Sequence, residues 1–141
     1  MHTDTLDRAL NELSSADLAG LAVQMRYKFP DRRIDSMKLV RMMAADDRHK
    51  SIVADTLADI CDKPADVVDF MQIYNAEGRC SVSHQVRKGL AMAFNKFSRM
   101  DLADYAKSVP LTLKQILFLS HAKPMDRQQE KDWSDLIEGK L

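Results

Sequence analysis

The chain predicts an all-α fold of HEAT-like stacked helical hairpins, and three observations carry that reading. Apolar residues recur at i, i+3 and i+4 in segment after segment, the period of a helix with one buried face. The alternation of a half-buried strand is missing, and aromatic residues make up only 6% of the chain. Ser, Asp, Pro and Gly punctuate the segments at short intervals, so the connections are short and consecutive helices run antiparallel. Antiparallel helices with short turns and no central strand suit a stacked array more than a closed four-helix bundle. With 141 residues, 45% of them apolar, the length supports one domain with its own core. No Pro/Gly/Ser-rich linker divides residues 1–141 into two.

In chain order the spacing predicts helices over 4–13, 16–28, 36–45, 49–61, 64–76, 83–98, 101–107, 112–121 and 126–138. Ser14 or Ser15 can accept a backbone N–H at the start of the second. Met37, Met42 and Met43, three of the nine methionines, read as adaptable core filling in the third. Asp46-Asp47 precedes the fourth and reads as a helix-start feature, since carboxylates favour that end of the helix dipole. Pro64 suits the first helical position of the fifth, and Gly78 suits its termination. Ser83 can cap the sixth, and Gly139 can close the last.

The formal net charge of zero conceals segregation. Residues 1–78 carry 10 Lys/Arg against 14 Asp/Glu, residues 79–123 carry 8 against 2, and residues 124–141 carry 3 against 5. From Gly78 to Met100 there is no acid, while Arg79, Arg87, Lys88, Lys96 and Arg99 are cationic, which biases this surface toward an anionic partner. A smaller basic cluster comprises Arg26, Lys28, Arg32, Arg33, Lys38 and Arg41, interrupted by Asp31 and Asp35.

Several function classes find no support. The opening MHTDTLDRAL lacks a cationic region followed by an apolar one, and no apolar run is long enough to span a bilayer. The expectation is a soluble, cytoplasmic protein with no membrane partner. Cys61 and Cys80 form no CxxC pattern and read as reduced thiols. Cys80 and His84 have a C-x3-H spacing, but no second ligand pair stands at structural-zinc distance, so no metal and no cofactor are expected. Ser120 and His121 are adjacent on a helix and diverge by about 100°, which prevents a nucleophile-to-base contact. There is no Gly-rich phosphate loop. The chain does not read as an enzyme.

Two segments carry the binding argument. In SHQVRKGLAMAFNKFSR, residues 83–99, Val86, Leu90, Ala93, Phe94 and Phe97 form a core stripe. A helix continuing to Arg99 would point His84, Lys88, Asn95 and Arg99 to the opposite side, with only Ala91 and Met92 between them. Cations and an amide on a rigid helix suit phosphate and sugar oxygens, although an ordinary solvated face has the same composition. In LKQILFLSHAKP, residues 113–124, Leu113, Ile116, Leu117 and Ser120 share a face, and Lys114, Phe118 and His121 form a stripe beside it. That stripe reads either as a half-buried Phe with polar neighbours or as a contact surface.

KGLAMAFNKFSRMDLADY (88–105), LTLKQILFLSHAKP (111–124) and DWSDLIEGKL (132–141) together resemble the TROVE module of the Ro autoantigen ribonucleoproteins. The marks are the Phe94-Asn95 pair, the Asp-Leu-Ala-x-Tyr run at 101–105, and the box of Leu119, His121, Lys123 and Pro124, in that order. The likeness is strongest over 83–141 and extends more faintly to about Ser15. It implies a HEAT-like helical ring that binds small non-coding RNA without chemistry: Y-type RNA on the outer surface, and the single-stranded 3′ ends of misfolded RNA in the central hole. It places His121 at the RNA-binding surface; together with the cationic faces read above, the candidate RNA contacts are His84, Lys88, Asn95, Arg99, Lys114, His121 and Lys123. There are departures. Lys107 stands alone where Ro-type relatives carry several basic residues, and the DxSxS box of a von Willebrand-type domain is absent. The module looks partial, and a short form is expected to self-associate through an exposed end such as Trp133, Leu136 and Ile137. The alternative is a helical protein-interaction scaffold that has lost RNA contact.

Overall fold

At α2, α5, α6 and α7 the helix start is set by side chains that satisfy the first free N–H groups. The computed structural model describes residues 3–75, 83–108, 127–128, 131 and 134–135. Across them the fold is all-α, without a strand among the described residues. The elements are α1 (Thr3–Glu12), α2 (Ser15–Lys28), a 3-10 turn (Pro30–Arg32), α3 (Arg33–Ala44), a second 3-10 turn (Lys50–Ile52), α4 (Val53–Ile60), α5 (Pro64–Asn75), α6 (His84–Phe94) and α7 (Arg99–Ser108). Ser14 Oγ accepts the Asp17 N–H, and Ser83 Oγ accepts the Val86 N–H, as N-caps of α2 and α6. Pro64 opens α5. The Asp66 carboxylate in its first turn reaches back to the N–H groups of Asp62 at 2.9 Å and Lys63 at 3.0 Å.

The order of packing follows from a few long-range contacts. Ser15 at the start of α2 meets His49, just before α4, while Arg26 near the end of α2 donates to the carbonyl of Ile60 at the end of α4. These two helices therefore run parallel. Arg33 opens α3 and reaches Asp66 and Asp69 in the first half of α5, so that pair is parallel too. Gly89 lies against Ala54 and Leu57, and Lys96 just past α6 donates to the Ala58 carbonyl, giving a parallel α4–α6 pair. Each extensive helix contact joins elements one or two places apart in the chain. In the pairs α2–α4, α3–α5 and α4–α6, helices two places apart pack in parallel.

The core runs along this array. It contains Leu18, Ala22 and Met25 of α2, Met37, Leu39, Val40 and Met43 of α3, Val67, Phe70 and Met71 of α5, and Val86, Leu90, Ala93 and Phe94 of α6. Met37 and Met43 are buried as core filling, and Met42 is half-buried. At the centre lies α4, with Val53, Ala54, Thr56, Leu57, Ala58 and Ile60 buried and only Asp55 and Asp59 exposed. A helix that is apolar nearly all round has neighbours on most sides.

Three boundaries differ from the sequence reading. The helix expected over 36–45 starts at Arg33. That expected over 49–61 begins as a 3-10 turn, with His49 outside it. The helix expected over 83–98 stops at Phe94 because Ser98 and Asp101 start another: Ser98 Oγ accepts the Asp101 N–H, and the Asp101 carboxylate accepts the Ser98 N–H. That reciprocal pair is a capping box. Phe97 stays buried after the turn, its ring edge-on to Phe94 at a centroid distance of 5.6 Å. The helix expected over 112–121, the buried Leu113, Ile116 and Leu117, the glycines 78 and 139, and the end at Trp133, Leu136 and Ile137 lie outside the described residues; of the helix expected over 126–138, residues 127–128, 131 and 134–135 are described, and they are helical.

Candidate nucleic-acid interface

α6 presents the cationic surface that the acid-free stretch leads one to look for. Its buried stripe of Val86, Leu90, Ala93 and Phe94 faces the core, and Gly89 meets α4. His84, Arg87 and Lys88 are exposed on its first turns, where no ion pair of theirs occurs among the described residues. Ser83 marks this as the N-terminal end of the helix, and beyond the Val86 N–H that its hydroxyl accepts, the remaining first-turn N–H groups favour an anion alongside the cations.

The predicted stripe is shorter than the sequence suggested. Asn95 is exposed, yet it is the C-cap of α6. Arg99 is the first residue of α7 and so no longer shares the helix of Lys88. Ala91, expected to leave the middle of the face open, is 2% exposed. Lys96 is held by the carbonyl of Ala58 at the end of α4. The structure thus brings His84 and Lys88 together with Arg87, and separates them from Arg99 by a turn. The side chain of Arg99, and all of Lys114, Phe118, His121 and Lys123, lie outside the described residues.

The second basic cluster is largely committed inside the fold. Arg26 and Arg33 converge on Asp66, with Arg26 Nη2 at 2.8 Å from Oδ2 and Arg33 Nη2 at 2.6 Å from Oδ1. Arg33 also reaches Asp69 at 2.7 Å, and Arg32 lies 3.5 Å from Asp35. Asp66 is buried, and burial opposes its ionisation. The hydrogen bonds from Arg26, Arg33 and two backbone N–H groups prevail and hold its carboxyl below the usual value. Lys28 and Lys38 are the exposed cations of this cluster. Asp46, read as a helix-start residue, receives the Arg48 side chain and its N–H, and these push its carboxyl down to about 2.

Sequence reasoning missed a cleft of about 430 Å³ between the start of α5 and α7, with Asp62, Lys63, Phe97, Asp101, Asp104 and Tyr105 in its walls. No local signal marks it, because its two sides come from chain segments far apart. It also missed His49, which is buried. His49 Nε2 lies 2.9 Å from the Leu10 carbonyl, and Nδ1 lies 2.8 Å from Ser15 Oγ, pinning α1 and α2 to the connection before α4. Cys61 is fully buried; burial first, and then the nearby Asp66, push its thiol up, so it stays protonated and unreactive. Cys80 lies outside the described residues. Among the described residues no group of His, Cys, Asp and Glu is arranged to hold a metal. Among them also, no helix is long and apolar enough to cross a membrane. No family model, curated protein or solved structure matches the chain.

Proposed function

We propose that the chain is a non-catalytic RNA-binding module of the TROVE type, its helices stacked in a HEAT-like array. It would act in the cytoplasm on small structured RNA, or on misfolded RNA with a single-stranded 3′ end. The observation that carries this reading is the exposed set of Arg87 and Lys88 with His84 on the capped end of α6. The set projects from a helix whose other face is locked into α4, so the cations hold a fixed spacing, as contacts to successive phosphates require. Parallel packing of helices two places apart supports the array.

A protein-interaction scaffold is the second reading. It is favoured by exposed Tyr27, Phe29 and Ile34 at the α2–α3 corner.

Salt dependence separates the two, because phosphate neutralisation releases counterions whereas an apolar interface responds little. The test is titration of a hairpin RNA bearing a single-stranded 3′ tail, beside a blunt duplex, at several salt concentrations. Replacing Arg87 and Lys88 by Ala should weaken both RNAs and lower the slope of log affinity against log salt by about 1.4 to 1.8. Unchanged slopes in that variant would remove α6 from the interface and leave the scaffold.

A further inference from the structure

Adjacent residues such as Ser120 and His121 diverge on a helix, but the fold makes a serine–histidine contact elsewhere, between residues 34 apart in the chain. Ser15 Oγ lies 2.8 Å from His49 Nδ1, and His49 Nε2 lies 2.9 Å from the Leu10 carbonyl oxygen. A carbonyl oxygen only accepts, so Nε2 carries the ring proton and the neutral imidazole turns the lone pair of Nδ1 toward Ser15. A contact this short to a lone pair needs a proton between the two atoms, and the Ser15 hydroxyl supplies it. The Arg48 carbonyl, 3.1 Å from Oγ, is the other acceptor within its reach. A nucleophile, a base and a group that orients the base are therefore in hydrogen-bond contact, the arrangement by which a serine hydroxyl is activated.

The ends of two helices support this contact. Leu10 belongs to the last turn of α1, so the negative end of that helix faces the imidazole and favours the imidazolium that forms when it takes a proton. Ser15 opens α2. Ser14 Oγ accepts the Asp17 N–H, while the N–H groups of Ser15 and Ala16 come too early in the helix for an intrahelical acceptor. They place positive partial charge beside Ser15 Oγ, where a carbonyl oxygen under attack turns negative. The α1–α2 corner thus offers one helix end to each charge that acyl transfer creates. His49 is only 4% exposed and fixed on both sides, whereas Ser15 is half-buried and keeps part of its surface in water. Arg48 braces the corner by donating to Asn11 in the last turn of α1 and to Asp46.

We propose that Ser15 is an acyl-acceptor site: its hydroxyl, with His49 as base, takes a short acyl group from an activated ester or thioester. In the step, Ser15 Oγ attacks the carbonyl carbon of the donor while Nδ1 takes the hydroxyl proton. The new oxygen–carbon bond forms, the bond from that carbon to the leaving oxygen or sulfur breaks, and the leaving group departs with the proton from Nδ1. The products are an O-acyl serine and a free phenol or thiol, with no oxidation or reduction. The acyl group is short because the hydroxyl sits in a corner bounded by α1, α2 and the connection before α4. An acylated Ser15 has no proton left to donate, so the modification removes one of the two hydrogen bonds by which His49 pins α1 and α2. The step modifies the chain, no turnover is part of it, and it is independent of the cations of α6.

The probe is 4-nitrophenyl acetate, added to the full chain at neutral pH, with the acetylated residues mapped by peptide mass spectrometry. Hydroxylamine separates the labile ester on serine from stable amides on lysine. The folded parent should be acetylated at Ser15 at least about 100-fold faster than at Ser14 and Ser51, which are more exposed but have no imidazole contact among the described residues. His49→Gln keeps a polar side chain at the position and removes the base, so it should slow Ser15 by about 100-fold or more with the helical circular dichroism unchanged. If that variant unfolds, the parent in urea takes its place, and the preference for Ser15 over Ser14 should vanish with the fold. A folded parent that labels Ser15 no faster than Ser14 overturns the proposal and leaves His49 a structural pin. So does a folded His49→Gln chain that labels Ser15 at the parent rate, or a preference that survives in urea.

Discussion

Asp66 joins three helices through one carboxylate: Arg26 comes from α2, Arg33 from α3, and its own N–H partners lead into α5. Removing its charge leaves two guanidinium groups without their main counter-charge, so Asp66→Asn should cost about 3 to 5 kcal/mol in denaturant titration at neutral pH. The same network sets an acid limb. The native carboxyl ionises below its ordinary value of 3.8, so its contribution is complete above that value. It is lost as pH falls below about 4 toward the lower native value. Denaturation across pH 2 to 6 should show this decline in the parent and a flatter profile in the Asn variant. Ser36 is the contrary case. Its hydroxyl is fully buried in α3 without a hydrogen-bond partner. Ser36→Ala removes an unsatisfied group and adds helix propensity, so it should raise stability by about 1 kcal/mol in the same assay.

Two glycines in helices show how packing overrides propensity. A Cβ at Gly20 of α2 would meet nothing within 4 Å, and the residue is exposed. Gly20→Ala should therefore stabilise by about 1 kcal/mol, the helix-propensity difference. A Cβ at Gly89 of α6 would stand 2.9 Å from the Ala54 carbonyl oxygen and 3.0 Å from Leu57 Cβ. A backbone oxygen inside a helix cannot swing aside, so α6 and α4 must separate. Gly89→Ala should lose more to overpacking than it gains in propensity, a net cost of about 1 to 2 kcal/mol. Thermal or denaturant unfolding of the two variants should move in opposite directions. Because Lys88 is the next residue, a shifted α6 would also displace the cationic set.

Stability in the molecule is graded from the centre outward. α4 packs on α2, α3 and α6, with six of its eight residues buried, whereas α1 makes its extensive contact with α3 alone. In native-state hydrogen exchange the α4 amides should require the largest opening, close to global unfolding, and those of α1 should exchange through local opening. Equal protection of α1 and α4 would argue against a linear array. The same layout sets the exposed cations at the start of α6 at the edge opposite the end of α2.

The all-α class was legible because the spacing of Leu18, Ala22 and Met25, or of Val86, Leu90 and Ala93, repeats the turn of a helix whatever it packs against. Ser14, Ser83 and Pro64 were legible as helix starts because a cap bonds within its own first turn. Ser98-Arg99-Met100-Asp101 carried the same kind of signal. It was masked by the apolar spacing of Phe94 and Phe97, which a tight turn preserves as well as a helix does. Long-range pairing was left to the tertiary structure. Arg26 and Arg33 look like surface cations until α5 delivers Asp66 to them, and His49 looks like a helix residue until Leu10 and Ser15 enclose it. Whether Lys96, Arg87 or Lys88 faces water depends on where α4 ends, and the exposure of Tyr27 and Phe29 depends on which helices pack beside their corner. Local hydrogen bonds and periodicity are properties of a few consecutive residues, while which charges are neutralised and which apolar groups stay uncovered depends on segments tens of residues apart.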